Sequence, residues 1–250
     1  MAGTCADADS GAGPWSSIDA IYIISHPIHE KTRFDKLTQT LAAYAVPPHK
    51  IKVAAPTWGS SLPADLCFQV YDPFLPRPIP SLVFKSRALL RGEISLVLNF
   101  YSAIKDAYES HYRSIMVLES DVIFHREFLP RLGTIMGALG QLPVWDYVSL
   151  SDGVGTHVGA YGAGGPSYGL WYSEGQTLQP APKFMTFRCT DSMLLGGRFI
   201  EYLYKNLLPF RDCLDWELNF QLYALGGTAF WAEPHIVEQA SCKGLMVSQL

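Results

Sequence analysis

Short apolar runs alternate with amphipathic segments along most of this chain. Runs of the first kind predict strands, because buried strands are short and almost continuously apolar. They lie at 18–24, 51–55, 115–118, 145–150, 184–189 and 229–232. Helical spacing of apolar residues is clearest at 92–108, and further helices are predicted at 31–45, after Glu127, at 197–208 and at 214–225. Strands that alternate with helices indicate an α/β fold.

Other segments lack either period. Four prolines within 72–80 predict an extended connector, because proline cannot continue a helix or donate to a sheet. Residues 153–182 are rich in glycine and aromatic side chains, which is typical of a long binding loop. The small and polar residues 1–17 predict a flexible lead-in to one domain that spans 18–250.

Composition narrows the class of protein. The chain has 250 residues, of which 48% are hydrophobic and 17% charged, which is enough to form a packed core. A net charge of −4 argues against a nucleic-acid binder. We see no apolar run of about 18 residues and no signal peptide, which predicts a cytoplasmic protein without a transmembrane segment. The 5 cysteines are widely spaced, and we expect reduced thiols.

The sequence Glu119-Ser120-Asp121 follows the apolar run at 115–118 directly. One intervening residue in an extended chain places both carboxylates on the same side. The carboxyl ends of strands in an open α/β sheet face the ligand crevice. Two hard oxygen donors there suit Mg²⁺ or Mn²⁺ holding a diphosphate. The alternative interpretation is a solvated strand end.

Two later segments contribute further candidates. Asp215 begins a predicted helix, where an acid serves either as a helix cap or as a general base. His235 follows a short strand and Pro234, and it is either a surface residue or a third metal ligand.

The remaining candidates are polar residues near the ends of predicted strands. Such positions suit a nucleotide base, ribose or diphosphate, and arginine suits diphosphate in particular. The candidates for contact with such a nucleotide ligand are Ser25, His26, Arg33, Lys85 and Arg87. The candidates for contact with a sugar hydroxyl are Asp152 and Asp191. The common phosphate-loop and serine-hydrolase motifs are absent.

In order, several segments resemble the family 25 glycosyltransferases, which include lipopolysaccharide glycosyltransferases and procollagen galactosyltransferases. Ile21-Tyr22-Ile23-Ile24 resembles their opening strand, and Gly92-Glu93-Ile94 resembles the start of a helix that follows it. Leu118-Glu119-Ser120-Asp121-Val122 resembles their Leu-Glu-Asp-Asp-Val motif. Leu214-Asp215-Trp216-Glu217 and the segment 233–239 resemble their late helix start and their ending.

The resemblance implies a GT-A fold with a mixed, mostly parallel central sheet flanked by helices. It also implies a UDP- or GDP-linked sugar donor, Mn²⁺ or Mg²⁺ at the acidic motif, and inverting transfer to a hydroxyl of a glycan or glycoconjugate. The chain departs from the family in two places. Ser120 replaces the usual middle acid, and 153–175 has no counterpart that aligns.

On this basis, Glu119, Asp121 and His235 are predicted to hold the cation, and Glu119, Ser120 and Asp121 are also predicted to contact the donor. Asp215 is predicted to be the general base, with Glu217 as the second choice. The aromatic rings of Trp171 and Tyr172 are predicted to stack on a sugar. Two alternatives stay open, namely a sugar nucleotidyltransferase and a catalytically inactive sugar- or nucleotide-binding module.

Overall fold

The computed structural model describes residues 13–77, 87–152, 177–181, 189–241 and 244–245. These residues form an α/β protein whose mixed, mostly parallel sheet of seven strands is flanked by helices. The α/β class and the mostly parallel central sheet are therefore confirmed. Most of the predicted lead-in, most of the glycine-rich loop and most of the strand predicted at 184–189 lie outside the described residues.

The described strands are β1 (Ala20–Ile24), β2 (Ile51–Val53), β3 (Ser114–Glu119), β4 (Val122–Phe124), β5 (Tyr147–Ser149), β6 (Leu178–Pro180), β7 (Ser192–Gly196), β8 (Ala229–Ala232) and β9 (Val237–Gln239). The described α-helices are α1 (Lys31–Ala43), α2 (Ala64–Val70), α3 (Arg91–Glu109), α4 (Phe128–Leu139), α5 (Gly197–Asn206) and α6 (Leu214–Leu225). Short 3-10 turns occur at Pro14–Ser17, Pro48–Lys50 and Gly59–Ser61.

The main sheet has the strand order β2-β1-β3-β7-β5-β8-β6. Strand β1 is parallel to β2 and β3, and β5 is parallel to β8. Strand β7 is antiparallel to both of its neighbours, β3 and β5. The beginning of β7 therefore lies at the same edge as the ends of β3 and β5, with Ser192 opposite Leu118. Strands β4 and β9 form a separate antiparallel ribbon.

Helices cover the main sheet on both faces, which explains why the central strands β1 and β3 are almost continuously apolar. In β3, Ile115 and Val117 pack in a core cluster with α3, α5 and α6. The alternate residues Met116 and Leu118 pack in a second cluster with α1 and α4. The alternation follows from the two-residue period of a strand.

The structure contains elements that the apolar pattern did not predict. Helix α2 is only seven residues long, which is too short for its period to stand out. Strand β7 was missed, although it is fully buried at the centre of the sheet. At the amino end, Trp15 is buried and its Nε1 donates a 3.0 Å hydrogen bond to Tyr44 O, so residues 14–17 pack against the domain.

Helix α6 has the bounds that the sequence predicts. It ends at Gly226, whose backbone is left-handed with φ of 64°. Glycine adopts that conformation at low cost, which explains why the Gly226-Gly227 pair stops the helix.

Among the described helices, we find none that combines the length and apolarity required to cross a membrane. Within the described residues, Cys67, Cys189 and Cys213 form no disulfide, and Cys5 and Cys242 lie outside those residues.

Candidate functional site

A cavity of about 410 Å³ lies at the edge of the sheet where β1 and β3 end. Its lining brings together most of the predicted donor-binding residues: Ser25, His26, Arg33, Glu119, Ser120 and Asp121. They converge because β1 and β3 are parallel neighbours, with Ile24 opposite Glu119. Polar residues that follow the two strands must therefore emerge side by side, as the carboxyl ends of parallel strands do in α/β folds.

Asp121 is the most unusual of these side chains. It is only 5% exposed, and within the described part of the chain its carboxylate forms no hydrogen bond or ion pair. Its backbone oxygen accepts a 2.8 Å hydrogen bond from Ala240 N, which anchors it to the segment after β9. A buried carboxylate without a partner is costly, so this position favours a bound cation.

Glu119 lies beside Asp121 in the same lining. Its Oε1 accepts a 2.7 Å hydrogen bond from Thr190 Oγ1. Burial and then the nearby charge of Asp121 raise the pKa of Glu119 to about 8. Asp191 and Glu30 push this pKa in the same direction. The site therefore disfavours the charged form of Glu119, and a bound cation would favour it.

Asp191 reaches this edge because β7 runs antiparallel to β3. It precedes β7, and its backbone oxygen accepts a 2.7 Å hydrogen bond from Glu119 N. Its carboxylate accepts hydrogen bonds from Ser151 Oγ at 2.8 Å and from Ser192 Oγ at 3.0 Å. Burial raises the pKa of Asp191 to about 6. Asp152 follows Ser151 just beyond the end of β5, at the same edge of the sheet.

Glu30 belongs to the cavity and was missed from the sequence. Its Oε2 accepts a 2.9 Å hydrogen bond from His26 N, and its Oε1 accepts one of 3.1 Å from Ser120 Oγ. Arg33 Nη1 lies 3.9 Å from the same Oε1. The available signal is an acid directly before the predicted helix at 31–45.

The loop after β2 forms a second part of the wall that sequence reasoning missed. The ring of Trp58 stacks on His29 at 4.6 Å between centroids and meets His26 edge-on at 5.4 Å. Asn99 on α3 holds this loop, since its Oδ1 accepts hydrogen bonds from Thr57 N and Thr57 Oγ1 at 3.0 and 2.8 Å. No local pattern marks this wall, because its parts come from distant segments.

Asp215 lies in the first turn of α6 and is not part of the cavity lining. Its Oδ1 accepts hydrogen bonds from Trp216 N at 2.9 Å and Cys213 Sγ at 3.2 Å. Its Oδ2 accepts a longer one of 3.4 Å from Cys189 N. Burial, followed by the charges of Asp191 and Asp215, raises the pKa of Tyr147.

Glu217 and Arg87 are paired with neighbouring side chains. Glu217 is fully buried and forms an ion pair with Arg77, whose side chain is 3% exposed. Glu217 Oε2 also accepts hydrogen bonds from Arg211 N and Asp212 N. Arg87 makes two hydrogen bonds to Glu93, of 3.0 and 3.2 Å.

The other predicted site residues either lie away from this cavity or lie outside the residues that the structure describes. His235 lies with His125 and Glu238 beside the β4–β9 ribbon and is not part of the cavity lining. Lys85, Trp171 and Tyr172 lie outside the described residues.

Comparison with protein-family models gives no match for this chain, and comparison with curated proteins gives none either. The glycosyltransferase resemblance therefore stays a prediction, carried by the ordered motifs of the sequence.

Proposed function

We propose that this protein is a metal-assisted glycosyltransferase that moves a sugar from a nucleotide diphosphate to a hydroxyl of a glycan or glycoconjugate. The observation that carries the proposal is the Asp121 carboxylate, which is buried beside Glu119 in the lining of a cavity. Within the described residues no hydrogen bond or ion pair compensates its charge. A divalent cation would do so and would also reduce the repulsion between the two acids.

The donor atoms of Glu119 and Asp121 fit Mn²⁺ or Mg²⁺, because hard cations prefer carboxylate oxygens. When bound there, the ion would neutralise charge on the donor diphosphate and on the departing nucleotide. We leave His235 out of this set, because it lies with His125 and Glu238 away from the cavity lining.

The rest of the cavity is suited to a nucleotide. The rings of His26 and Trp58 offer an aromatic wall against which a base or ribose can pack. Arg33 contributes a positive charge for phosphate oxygens, to which a guanidinium can donate two hydrogen bonds. These groups bind and orient the donor.

We assign proton transfer to Asp215, which lies in the first turn of α6. The acceptor oxygen attacks the anomeric carbon while its proton passes to the carboxylate of Asp215. The bond between the anomeric carbon and the diphosphate oxygen breaks, and its electron pair leaves with the nucleotide. Attack in line with that bond inverts the anomeric centre. Glu217 is unsuited to this role because its carboxylate is buried against Arg77.

The test measures thermal stability with UDP, GDP and their sugars, with and without Mn²⁺. We expect a metal-dependent increase with one nucleotide, lost in Asp121→Asn and retained in Asp35→Asn, whose exposed carboxylate pairs with Lys31 at 2.6 Å. In Asp215→Asn we expect donor binding to survive and transfer to fall by at least ~100-fold. An unchanged metal response in Asp121→Asn would rule out the metal assignment.

A sugar- or nucleotide-binding module without transfer is the second candidate. It is favoured by Ser120, which replaces an acid of the resembled motif. This candidate predicts a stability increase with a sugar or nucleotide that is independent of Mn²⁺. It also predicts no release of nucleotide diphosphate with any donor and acceptor pair.

A further inference from the structure

A second cluster of metal-binding residues lies on the β4–β9 ribbon, outside the cavity lining. His125 follows β4 directly, and its backbone N donates a 3.0 Å hydrogen bond to Ile236 O. His235 precedes β9, and Glu238 lies within β9 opposite Ile123. The ribbon therefore brings two imidazoles and one carboxylate to one place from segments more than a hundred residues apart.

Two of the three distances within this cluster match the edges of a tetrahedral metal site. Glu238 Oε1 lies 3.3 Å from His125 Nε2 and 3.5 Å from His235 Nε2. One donor atom from each of the three residues lies within 4.8 Å of the others. A tetrahedral zinc with bonds of about 2.05 Å separates its ligand atoms by about 3.3 Å. The third edge, between the two imidazoles, is at most 4.8 Å, so a side-chain movement of up to about 1.5 Å would close it around an ion.

We propose that His125, His235 and Glu238 form a binding site for a divalent transition metal ion, with Zn²⁺ as the best-suited ion. Two histidines and one carboxylate are a ligand set that zinc and related metals use in proteins. This set differs from the all-oxygen set of Glu119 and Asp121, which suits Mg²⁺ or Mn²⁺. The three side chains are 34%, 25% and 22% exposed, so the remaining coordination positions face solvent.

The site would act as a clamp on the ribbon. Val122 is opposite Gln239 in the β4–β9 register, and Gln239 and Asp121 both line the cavity. An ion held by the three residues would fix the segment before β9 to the segment after β4, next to those cavity residues. The site is independent of the proposed transfer reaction, because it needs neither a nucleotide nor Asp121.

The competing explanation is a pair of hydrogen bonds from imidazole N–H groups to Glu238. Metal-free protein is therefore titrated with Co²⁺ and, in competition with a chromophoric chelator, with Zn²⁺. We expect visible d–d absorption with Co²⁺ and one Zn²⁺ per chain. Loss of a ligand in His125→Ala, His235→Ala or Glu238→Gln should weaken Zn²⁺ at least ~100-fold, since even changes in residues that support a ligand cost 10- to 100-fold.

His49→Ala is the matched control, because His49 is exposed and lies in the 3-10 turn at Pro48–Lys50. Its Zn²⁺ affinity and that of Asp121→Asn should equal the affinity of the unmodified protein. Unchanged affinity in Glu238→Gln, or absence of Co²⁺ absorption in the unmodified protein, would overturn the proposal. Loss of Zn²⁺ in Asp121→Asn would instead place His235 with the cavity acids. Circular dichroism of each metal-free variant checks its fold, and the isosteric Glu238→Gln carries the test if a histidine variant unfolds.

Discussion

The hydroxyl of Ser120 donates a 3.1 Å hydrogen bond to Oε1 of Glu30, which lies 90 positions earlier in the chain. The resembled family has an acid at the position of Ser120, and here a carboxylate from the residue before α1 occupies the neighbouring space. Part of the negative charge around the cavity is therefore supplied by a different segment. Ser120 is thus compatible with a cation site, because a hydroxyl can donate to Glu30 and a second carboxylate would repel it.

Restoring the acid at position 120 should be harmful in this chain. In Ser120→Asp, a new carboxylate replaces the donor to Glu30 in a nearly buried place. We expect a loss of about 1–3 kcal/mol in the free energy of unfolding, measured with urea. Ser120→Ala, which removes only the hydrogen bond, should cost about 1 kcal/mol. The double variant Ser120→Asp, Glu30→Gln should recover most of the loss, and no recovery would contradict the proposed repulsion.

Glu119 should make the metal-free protein less stable as the pH rises. Its pKa lies at about 8 in the folded protein against an ordinary 4.5, so between these values the folded chain keeps a proton that the unfolded chain releases. The free energy of unfolding should fall by up to about 1.4 kcal/mol per pH unit in that window and level off above it. Because part of the side chain remains exposed, the slope should be smaller than this limit.

Asp191 has a pKa of about 6, so it lowers the free energy of unfolding with rising pH only below about pH 6. The diagnostic window is therefore pH 6 to 8, where Glu119→Gln should remove the slope. A slope that persists there in Glu119→Gln would mean that another group titrates. The measurement is urea denaturation at a series of pH values.

Gly59 should tolerate no side chain, because a Cβ at this position would lie 2.8 Å from both Cα and N of Gly92. Both glycines line the cavity, so Gly59→Ala should push the loop away from α3. We expect a cost of about 1–3 kcal/mol together with weaker nucleotide binding. Gly137→Ala is the control, since its Cβ would meet no atom within 4 Å inside α4, and there alanine should stabilise the protein. Equal stabilities of the two variants would contradict the close approach.

Glu217 should have a structural role and Asp215 a chemical role, although the two lie only two residues apart. Glu217→Gln leaves the buried guanidinium of Arg77 without its counter-charge, and we expect a loss of about 3–5 kcal/mol. Asp215→Asn keeps an oxygen acceptor for Trp216 N, so its stability should change by about 1 kcal/mol or less. Urea denaturation of the two variants compares these values. Equal stabilities would show that the Arg77 ion pair contributes little.

The sequence predicts those parts of the fold that depend on neighbours along the chain. Helix α6 appears with its predicted bounds because an apolar repeat and the Gly226 stop signal coincide there. Strands β1 and β3 were found because burial on both faces makes each of them continuously apolar. Strand β7 was missed because short polar residues precede it and a glycine ends it, although its centre is apolar. Only pairing with β3 and β5 reveals it.

The candidate site divides in the same way. Glu119 and Asp121 were found because two acids directly after a buried run stand out locally. Glu30 and the Trp58 wall were missed because each gains its meaning from a partner in another segment, such as Ser120 or Asn99. Glu217 is a carboxylate in the first turn of a helix, so the sequence makes it a candidate base. Its ion pair with Arg77, 140 positions away, cannot be seen in the sequence.

The antiparallel placement of β7 has a kinetic consequence. Thr190 and Asp191 meet Glu119 across 71 and 72 positions of chain, so the acidic centre depends on a pairing with a large loop-closure cost. The centre should therefore form late in folding, when β7 inserts between β3 and β5. The amide of Glu119, which donates to Asp191 O, should then exchange with deuterium only when β7 detaches from β3.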